Sequence, residues 1–256
     1  MTAKEAWYLH CTSEQVGSHA ILVGDRGRVR LAAGLLDDAE IANEDRGLTT
    51  ATGWFRGERV VVAAFGMGAP IATVVMHELA ELGVTRFLRL GTAMTVGGTP
   101  LGSYVLAIAA VRGESTSRAY LPLEYPAVAD PDLTAAVLAS ATAAGVQVNR
   151  GLYATFDGFY THMLDIDPTA TRVREGLARY AASGVIAADM ETSALFVAAI
   201  ALGVRAASFC LASVDGPRRS SMPRDERRGA EATLLRVGLD ALVPAADRPA
   251  ERRAQP

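Results

Sequence analysis

Short apolar runs alternate with helix-spaced segments along nearly all of this chain, and no other feature restricts its fold as much. "AILVG" (20–24) reads as a buried strand, and "ERVVVAAFG" (58–66) as another, β-branched and ended by glycine. "IATVVMHELAELG" (71–83) then changes period. Ile71, Val74, Val75, Leu79 and Leu82 share a helix face, Pro70 suits the first helical position and Gly83 the end. "TRFLRLG" (85–91), "SYVLAIAAV" (103–111), "VQVNRGLYATF" (146–156) and "RAASFCLASV" (205–214) return as strands, and helices are expected over 131–144, 168–182, 189–202 and 223–243. This alternation predicts an α/β fold: a three-layer α/β/α sandwich around a central mixed, mostly parallel sheet. No linker or internal repeat interrupts the pattern. Residues 1–243 are therefore expected to form a single domain, and 244–256, "PAADRPAERRAQP", a disordered tail.

With 256 residues, 50% of them hydrophobic, the chain can bury the core such a fold needs. A net charge of −3 marks it as neither a nucleic-acid nor a membrane binder. No apolar run approaches the ~20 residues of a membrane span. The opening "MTAKEAWYLHCTSEQ" carries charges where a signal peptide needs an apolar stretch. Cys11 and Cys210 give no disulfide framework, which fits a reducing cytoplasm. Of 25 basic side chains only Lys4 is a lysine, so arginine is the default surface cation here. An arginine gains functional weight only where its surroundings are apolar.

Two motifs mislead. "GMGAP" (66–70) follows a strand and opens a helix, but Ile71 stands where a dinucleotide fingerprint has its third glycine. The next strand carries Arg86 and Arg89 instead of an acid for a ribose. "HELAE" (77–81) begins like a zinc-protease helix and lacks the second histidine. The four histidines show no ligand spacing, so no metal site is expected.

Glycine-bearing turns follow three strands: "GDRGRV" (24–29) from Gly24, "GMGAP", and "RLGT" (89–92). Ligands of open α/β sheets bind at carboxyl ends of strands, and glycines let backbone N–H groups approach an anion there. Arg28 and Arg89 sit at two such ends, and Arg89 lies inside the apolar "FLRLG". Two guanidinia with the Thr92 hydroxyl would cradle a phosphate, whose oxygens match the guanidinium fork. "VIAADMETSALFVAAIALG" (185–203) poses a second puzzle: Asp189 and Glu191 stand at the mouth of a segment apolar all round, a costly place for charge. Carboxylates there also suit the positive end of a helix, so capping alone is one explanation.

In order and spacing, "GDRGRV", "GMGAP" with "HELAELGVTRFLRLGTA", and "ADMETSALFVAAIALGVRA" resemble the nucleoside phosphorylase family of the uridine phosphorylase and hexameric purine nucleoside phosphorylase type. "LPLEYPAVAD" (121–130) resembles the uridine branch in particular, and the likeness runs from about residue 8 to 243. The resemblance implies that Glu191 holds the ribose hydroxyls while Met190 packs on the sugar, with Asp189 where uridine enzymes have glutamate. It gives the phosphate to Gly24, Arg28, Arg89, Thr92 and, through "RGLTT" (46–50), an Arg46 lent by a neighbouring subunit. Tyr8 aligns with a neighbour-lent residue at the sugar, with His10 two residues on.

Departures cluster at the base end. Met94 replaces a usual glycine, and Arg26 a usual proline. In "FDGFYTHMLDID" (156–167), the resemblance implies that Phe159, of the Phe-Tyr pair, binds the base. Met163 and Asp165 occupy the positions of a glutamine and an arginine that read uracil, and neither substitutes for them chemically. "SVDGP" (213–217) places Asp215 where the purine branch carries the acid that protonates the leaving base, although an Asp-Gly-Pro turn also explains it. The expectation is a pentosyltransferase: phosphate-dependent cleavage of a purine-like nucleoside, with Arg89 and Asp215 catalytic. Phosphate is the co-substrate and no cofactor is expected. A homo-oligomer built from dimers, hexameric in the family, is implied. A hydrolytic nucleosidase on the same fold, a uridine phosphorylase of altered specificity and a non-catalytic nucleoside-binding protein remain as alternatives.

Overall fold

The computed structural model describes residues 3–245, so 246–256 of the expected tail lie outside the described residues. β1 (His19–Val23) and α1 (Arg26–Ala33) are followed by an antiparallel meander of β2 (Asp37–Asn43), β3 (Thr50–Phe55) and β4 (Glu58–Ala64). Then come α2 (Ala69–Glu81), β5 (Arg86–Thr95), β6 (Tyr104–Gly113), a one-turn α3 (Ser117–Tyr120), a short β7 (Ala127–Val128), α4 (Pro131–Ala143) and β8 (Val148–Phe156). A π-helical turn over Phe159–Met163 leads to α5 (Ala170–Ala182), β9 (Val185–Asp189), α6 (Thr192–Leu202), β10 (Arg205–Asp215), β11 (Ser220–Ser221) and α7 (Arg224–Leu242). Among the described residues the strands form one sheet in the order β11-β10-β6-β8-β9-β5-β1-β4-β3-β2, with β7 beside β6.

The apolar runs are strands buried on both faces. Alternate residues of β1 and β4 enter opposite cores: Ala20, Leu22, Val61 and Ala63 face α2 and α6, while Ile21, Val23, Val60 and Val62 face α1, α4 and α7. These are the three layers of the sandwich. α5 covers a third, smaller core with the π-turn, around Met94, Met163 and Val173. α6 is buried from Thr192 to Ala199 between α2 and the sheet, which explains its lack of a polar stripe, and Gly203 ends it in the left-handed conformation at φ 68°.

The structure departs from the expected layout in three places. The helix expected from residue 189 begins at Thr192, because Val185–Asp189 pairs as β9 with β8 and β5. β2 and β3 lacked an apolar run to announce them. β2, "DDAEIAN", is an exposed edge strand, and its charges are what such an edge carries to block further pairing. The sheet is also not open throughout. Parallel pairings join β4, β1, β5 and β10, and separately β6, β8 and β9, but antiparallel β10–β6 and β5–β9 close β5, β10, β6, β8 and β9 into a ring.

Candidate active site

The ring creates the site. One edge of β5 pairs with β10 from Arg86 to Met94, so β1 and β9 must share the other. β1 takes Arg86–Arg89 in parallel, and β9 takes Met94 and Thr95 antiparallel. The carboxyl ends of β1 and β9 therefore point at each other across a gap in the edge of β5 between those two stretches. α1 starts just beyond β1, α6 just beyond β9 and α2 just beyond the neighbouring β4, so three positive helix ends meet at one gap.

Arg28 and Arg89 occupy this gap. Arg28, from the first turn of α1, is buried, and its Nη1 donates to the Leu90 carbonyl at 2.8 Å, supplying a partner that β1 and β9 both miss. Burial lowers its pKa, with Glu231 opposing and the neighbouring Arg89 adding to the fall. Arg89 lies along β5 over Gly91, where a Cβ would come 2.2 Å from its Nη1; the glycine of "RLGT" thus clears room for the guanidinium. Its Nη2 lies 2.5 Å from Oε2 of Glu191 and 3.3 Å from Oδ2 of Asp189, and its Nη1 touches Cys210 Sγ. Burial alone would lower the Arg89 pKa, yet the surrounding Cys210, Asp189 and Glu191 raise it well above the ordinary value. Burial also pushes the Cys210 thiol up. Glu191 precedes α6, and its Oε1 accepts the Gly68 amide at 2.7 Å, which ties α6 to the start of α2. Asp189, at the end of β9, has its pKa raised by burial and by Glu191 against the pull of Arg89.

These groups border a cavity of about 540 Å³, within the usual range for a small-molecule site. Gly24, Arg28, Arg89, Thr92, Glu191 and Asp189 line its charged end. Met94, Phe159, Met163, Met190 and Val214 line the other, where they belong to the third core. Met94 is buried in this wall, and its Sδ would meet a Cβ on Gly216 at 2.3 Å.

Four expected residues are placed elsewhere. Tyr8 and Arg46 line an adjoining cavity of about 660 Å³ with Arg26, the Arg46 guanidinium lying over the Tyr8 ring. The two cavities share Gly24, Asp25 and Gly66. Asp165 does not border the main cavity; its carboxylate pairs with Arg174 at 2.6 Å. Asp215 is also absent from that lining. Its Oδ1 accepts the Arg218 amide at 3.0 Å and its Oδ2 pairs with Arg218 Nη1 at 2.8 Å, so it closes the Asp-Gly-Pro turn and faces a third cavity. Neither Asp165 nor Asp215 thus lines the main cavity. Sequence reasoning missed Cys210, Thr155, Thr192 and Ser208, which surround Arg89 and the carboxylates; their only signal was a small polar residue inside an apolar run. Among the described residues, no three His, Cys, Asp or Glu side chains converge as a metal site would need. No helix among the described residues is long and apolar enough to cross a membrane.

Comparison with known proteins accords with this arrangement. A family model described as the phosphorylase superfamily matches residues 18–243. A uridine phosphorylase of Haemophilus influenzae is 33% identical over 207 residues, 78% of this chain and 82% of that protein. A uridine phosphorylase of Escherichia coli is 28% identical over 248 residues, 94% of this chain and 98% of that protein. A guanosine phosphorylase of Halorubrum lacusprofundi is 30% identical over 198 residues, 77% of each. The chain belongs to the phosphorylase superfamily, as a nucleoside phosphorylase and hence a pentosyltransferase.

Proposed function

We propose that the protein cleaves the N-glycosidic bond of a pyrimidine nucleoside of the uridine type with inorganic phosphate, releasing the base and a pentose 1-phosphate. The observation that carries this reading is the meeting of Arg28, Arg89 and three helix N-termini with Glu191 on one cavity. A phosphate oxygen bonds to the anomeric carbon as the bond to the base nitrogen breaks, and the electron pair leaves with the base. The transition state carries oxocarbenium-like positive charge on the sugar, which an oriented anion beside it stabilises. Glu191 spends one lone pair on Gly68 and one on Arg89, and so retains acceptor capacity for sugar hydroxyls, while Met190 covers the ring's apolar face.

The pyrimidine reading rests on the similarity to proteins named uridine phosphorylase and on the position of Asp215 outside the cavity, which leaves a purine without its acid. With Met163 and Asp165 in place of an amide and a guanidinium, the base is held by shape between Phe159, Met94 and Met163. Two buried arginines face two buried carboxylates, so phosphate needs further positive charge, and Arg46 of a second subunit supplies it beside the partner's Tyr8 in a dimer-built oligomer. Phosphate is the only co-substrate, and the cytoplasm the place of action.

The test incubates the protein with uridine, thymidine, inosine, adenosine and guanosine, with and without phosphate, and identifies the sugar product. The expected result is phosphate-dependent release of uracil with pentose 1-phosphate, faster than for any purine. Free pentose made without phosphate makes the protein a hydrolase, preferred guanosine cleavage overturns the base assignment, and no turnover leaves a binding protein.

A further inference from the structure

Asp189 and Glu191 both touch Arg89, both border the cavity and both are buried, yet their hydrogen bonds divide them. A carboxylate offers about four lone-pair directions. Asp189 has four donors. The Thr155 hydroxyl reaches Oδ1 at 2.8 Å, the Thr192 hydroxyl reaches Oδ2 at 2.5 Å, the Thr192 amide lies 3.2 Å from Oδ2 and 3.3 Å from Oδ1, and Arg89 Nη2 lies 3.3 Å from Oδ2. Its side chain is 1% exposed. Glu191 has two protein donors, the Gly68 amide and Arg89 Nη2.

The donors to Asp189 are themselves fixed. Thr155 Oγ1 accepts the Ser193 amide at 3.0 Å, and the Ser193 hydroxyl donates to the buried Glu114 at 2.8 Å. Glu114 in turn accepts the Ser117 amide at 2.8 Å. The Thr192 hydroxyl lies 2.8 Å from Ser208 Oγ; because its own proton goes to Asp189, Ser208 donates to it. Asp189 is therefore anchored to β8, α6 and β10 at once, with one direction left, and that direction faces Arg89.

We propose that Asp189 is a positioning residue that sets the Arg89 guanidinium for phosphate, and that the sugar hydroxyls fall to Glu191 without it. This rests on the phosphorolytic reading above. The network has a cost in buried polar groups that a sugar ligand would not require, since a ligand-binding carboxylate keeps free lone pairs. It has the form expected of a support that holds a charged group to within a fraction of an ångström.

The experiment measures kcat and KM for phosphate and for a ribonucleoside and its 2′-deoxy counterpart in the wild type, Asp189→Asn, Thr155→Val, Thr155→Ser and Glu191→Gln, with inorganic phosphate binding followed separately by thermal shift. Asp189→Asn and Thr155→Val should each lower kcat/KM for phosphate at least ~10-fold, as misplacement of a binding group does. The loss should be equal, to within about twofold, on both sugars, with weaker thermal protection by phosphate. Thr155→Ser, which keeps the hydroxyl, should restore most of the loss. Glu191→Gln should change the ratio of ribo- to deoxyribonucleoside cleavage. An Asp189→Asn protein whose sugar ratio changes as in Glu191→Gln, or whose phosphate kinetics match the wild type, overturns the proposal and leaves phosphorolysis standing. A wild type that neither needs nor binds phosphate overturns both.

Discussion

Arg89→Ala tests the electrostatics of the site more directly than any other change. In the wild type an arginine side chain 5% exposed faces carboxylates whose side chains are 1% and 6% exposed. Removing it leaves two buried negative charges two residues apart. Loss of one partner of a buried ion pair costs about 3–5 kcal/mol. The lower end applies here, because Asp189 keeps its two threonines and Glu191 keeps the Gly68 amide. The deficit must also depend on pH. Burial already raises the Asp189 pKa above its ordinary value, Glu191 adds to the rise, and Arg89 is what pulls it down. Without Arg89 the folded pKa rises further. A group whose folded pKa exceeds its unfolded value favours the folded state below the unfolded pKa, about 3.9 for aspartate, and loses that contribution as pH rises. The variant should therefore approach wild-type stability near pH 4 and fall behind toward neutrality. Urea denaturation at pH 5 and 7.5, at one protein concentration so that any assembly contributes equally, reads this directly. At saturating nucleoside, phosphorolysis should drop by at least ~3 kcal/mol in transition-state stabilisation, a factor on the order of a hundred. Arg89→Lys should recover part of the stability but not the phosphate kinetics, because an ammonium lacks the planar fork. A deficit equal at both pH values, or phosphate kinetics unchanged in folded Arg89→Ala, would refute the reasoning.

Gly216→Ala would bring a Cβ 2.3 Å from both the Met163 carbonyl and Met94 Sδ, so the turn must move off the base wall; kcat/KM for the nucleoside should fall at least ~10-fold with KM for phosphate unchanged, as steady-state kinetics varying each substrate will show. Asp215→Asn should change the ratio of purine to pyrimidine cleavage by less than about twofold, since its carboxylate serves Arg218 outside the cavity; a selective loss on purines would return the acid role to it. Cys11, pushed by burial to about 11, and the buried Cys210 should resist a thiol reagent at neutral pH in the native protein and react on unfolding, as titration with a chromogenic disulfide will report.

The legibility of the sequence follows from burial. Strands covered on both faces, such as β1 and most of β4, carry apolar runs and are readable from them. β9 is nearly as buried, but its apolar run continues into that of α6, so it is not read as a strand and the helix is expected to start at Asp189. β2 is exposed along most of its length, and pairing with β3 needs no apolar residue from it. At the site, Arg28, Arg89 and Glu191 were legible because charge inside apolar surroundings is expensive and demands a reason. Thr155, Thr192 and Ser208 were not, because a hydroxyl in a strand or at a helix start costs little and has many explanations. Where the Asp215 and Asp165 side chains turn was not legible either. Sequence fixes that a carboxylate stands at a strand end or after a turn, but only the path of the loop decides whether it turns toward the cavity or toward a neighbouring arginine, as both do here.

The gap in the edge of β5 accounts for why three motifs so far apart in sequence act together. Each of "GDRGRV", "RLGT" and "DMET" is the end or the interruption of a strand at the same place, and the motif residues satisfy what the interruption leaves open. The Leu90 carbonyl has no strand partner on that edge, and Arg28 provides one. A guanidinium over Gly91 needs countercharge in a buried setting, and the end of β9 brings Asp189 and Glu191 to it. Arg28 and Arg89 are therefore also structural parts of the sheet. Their substitution cannot be a purely catalytic lesion, so activity loss at Arg28 or Arg89 must be read together with stability. Loss at Thr92, which borders the cavity without a side-chain bond to the protein among the described residues, carries no such second contribution. Comparing the three separates the binding of phosphate from the closure of the sheet.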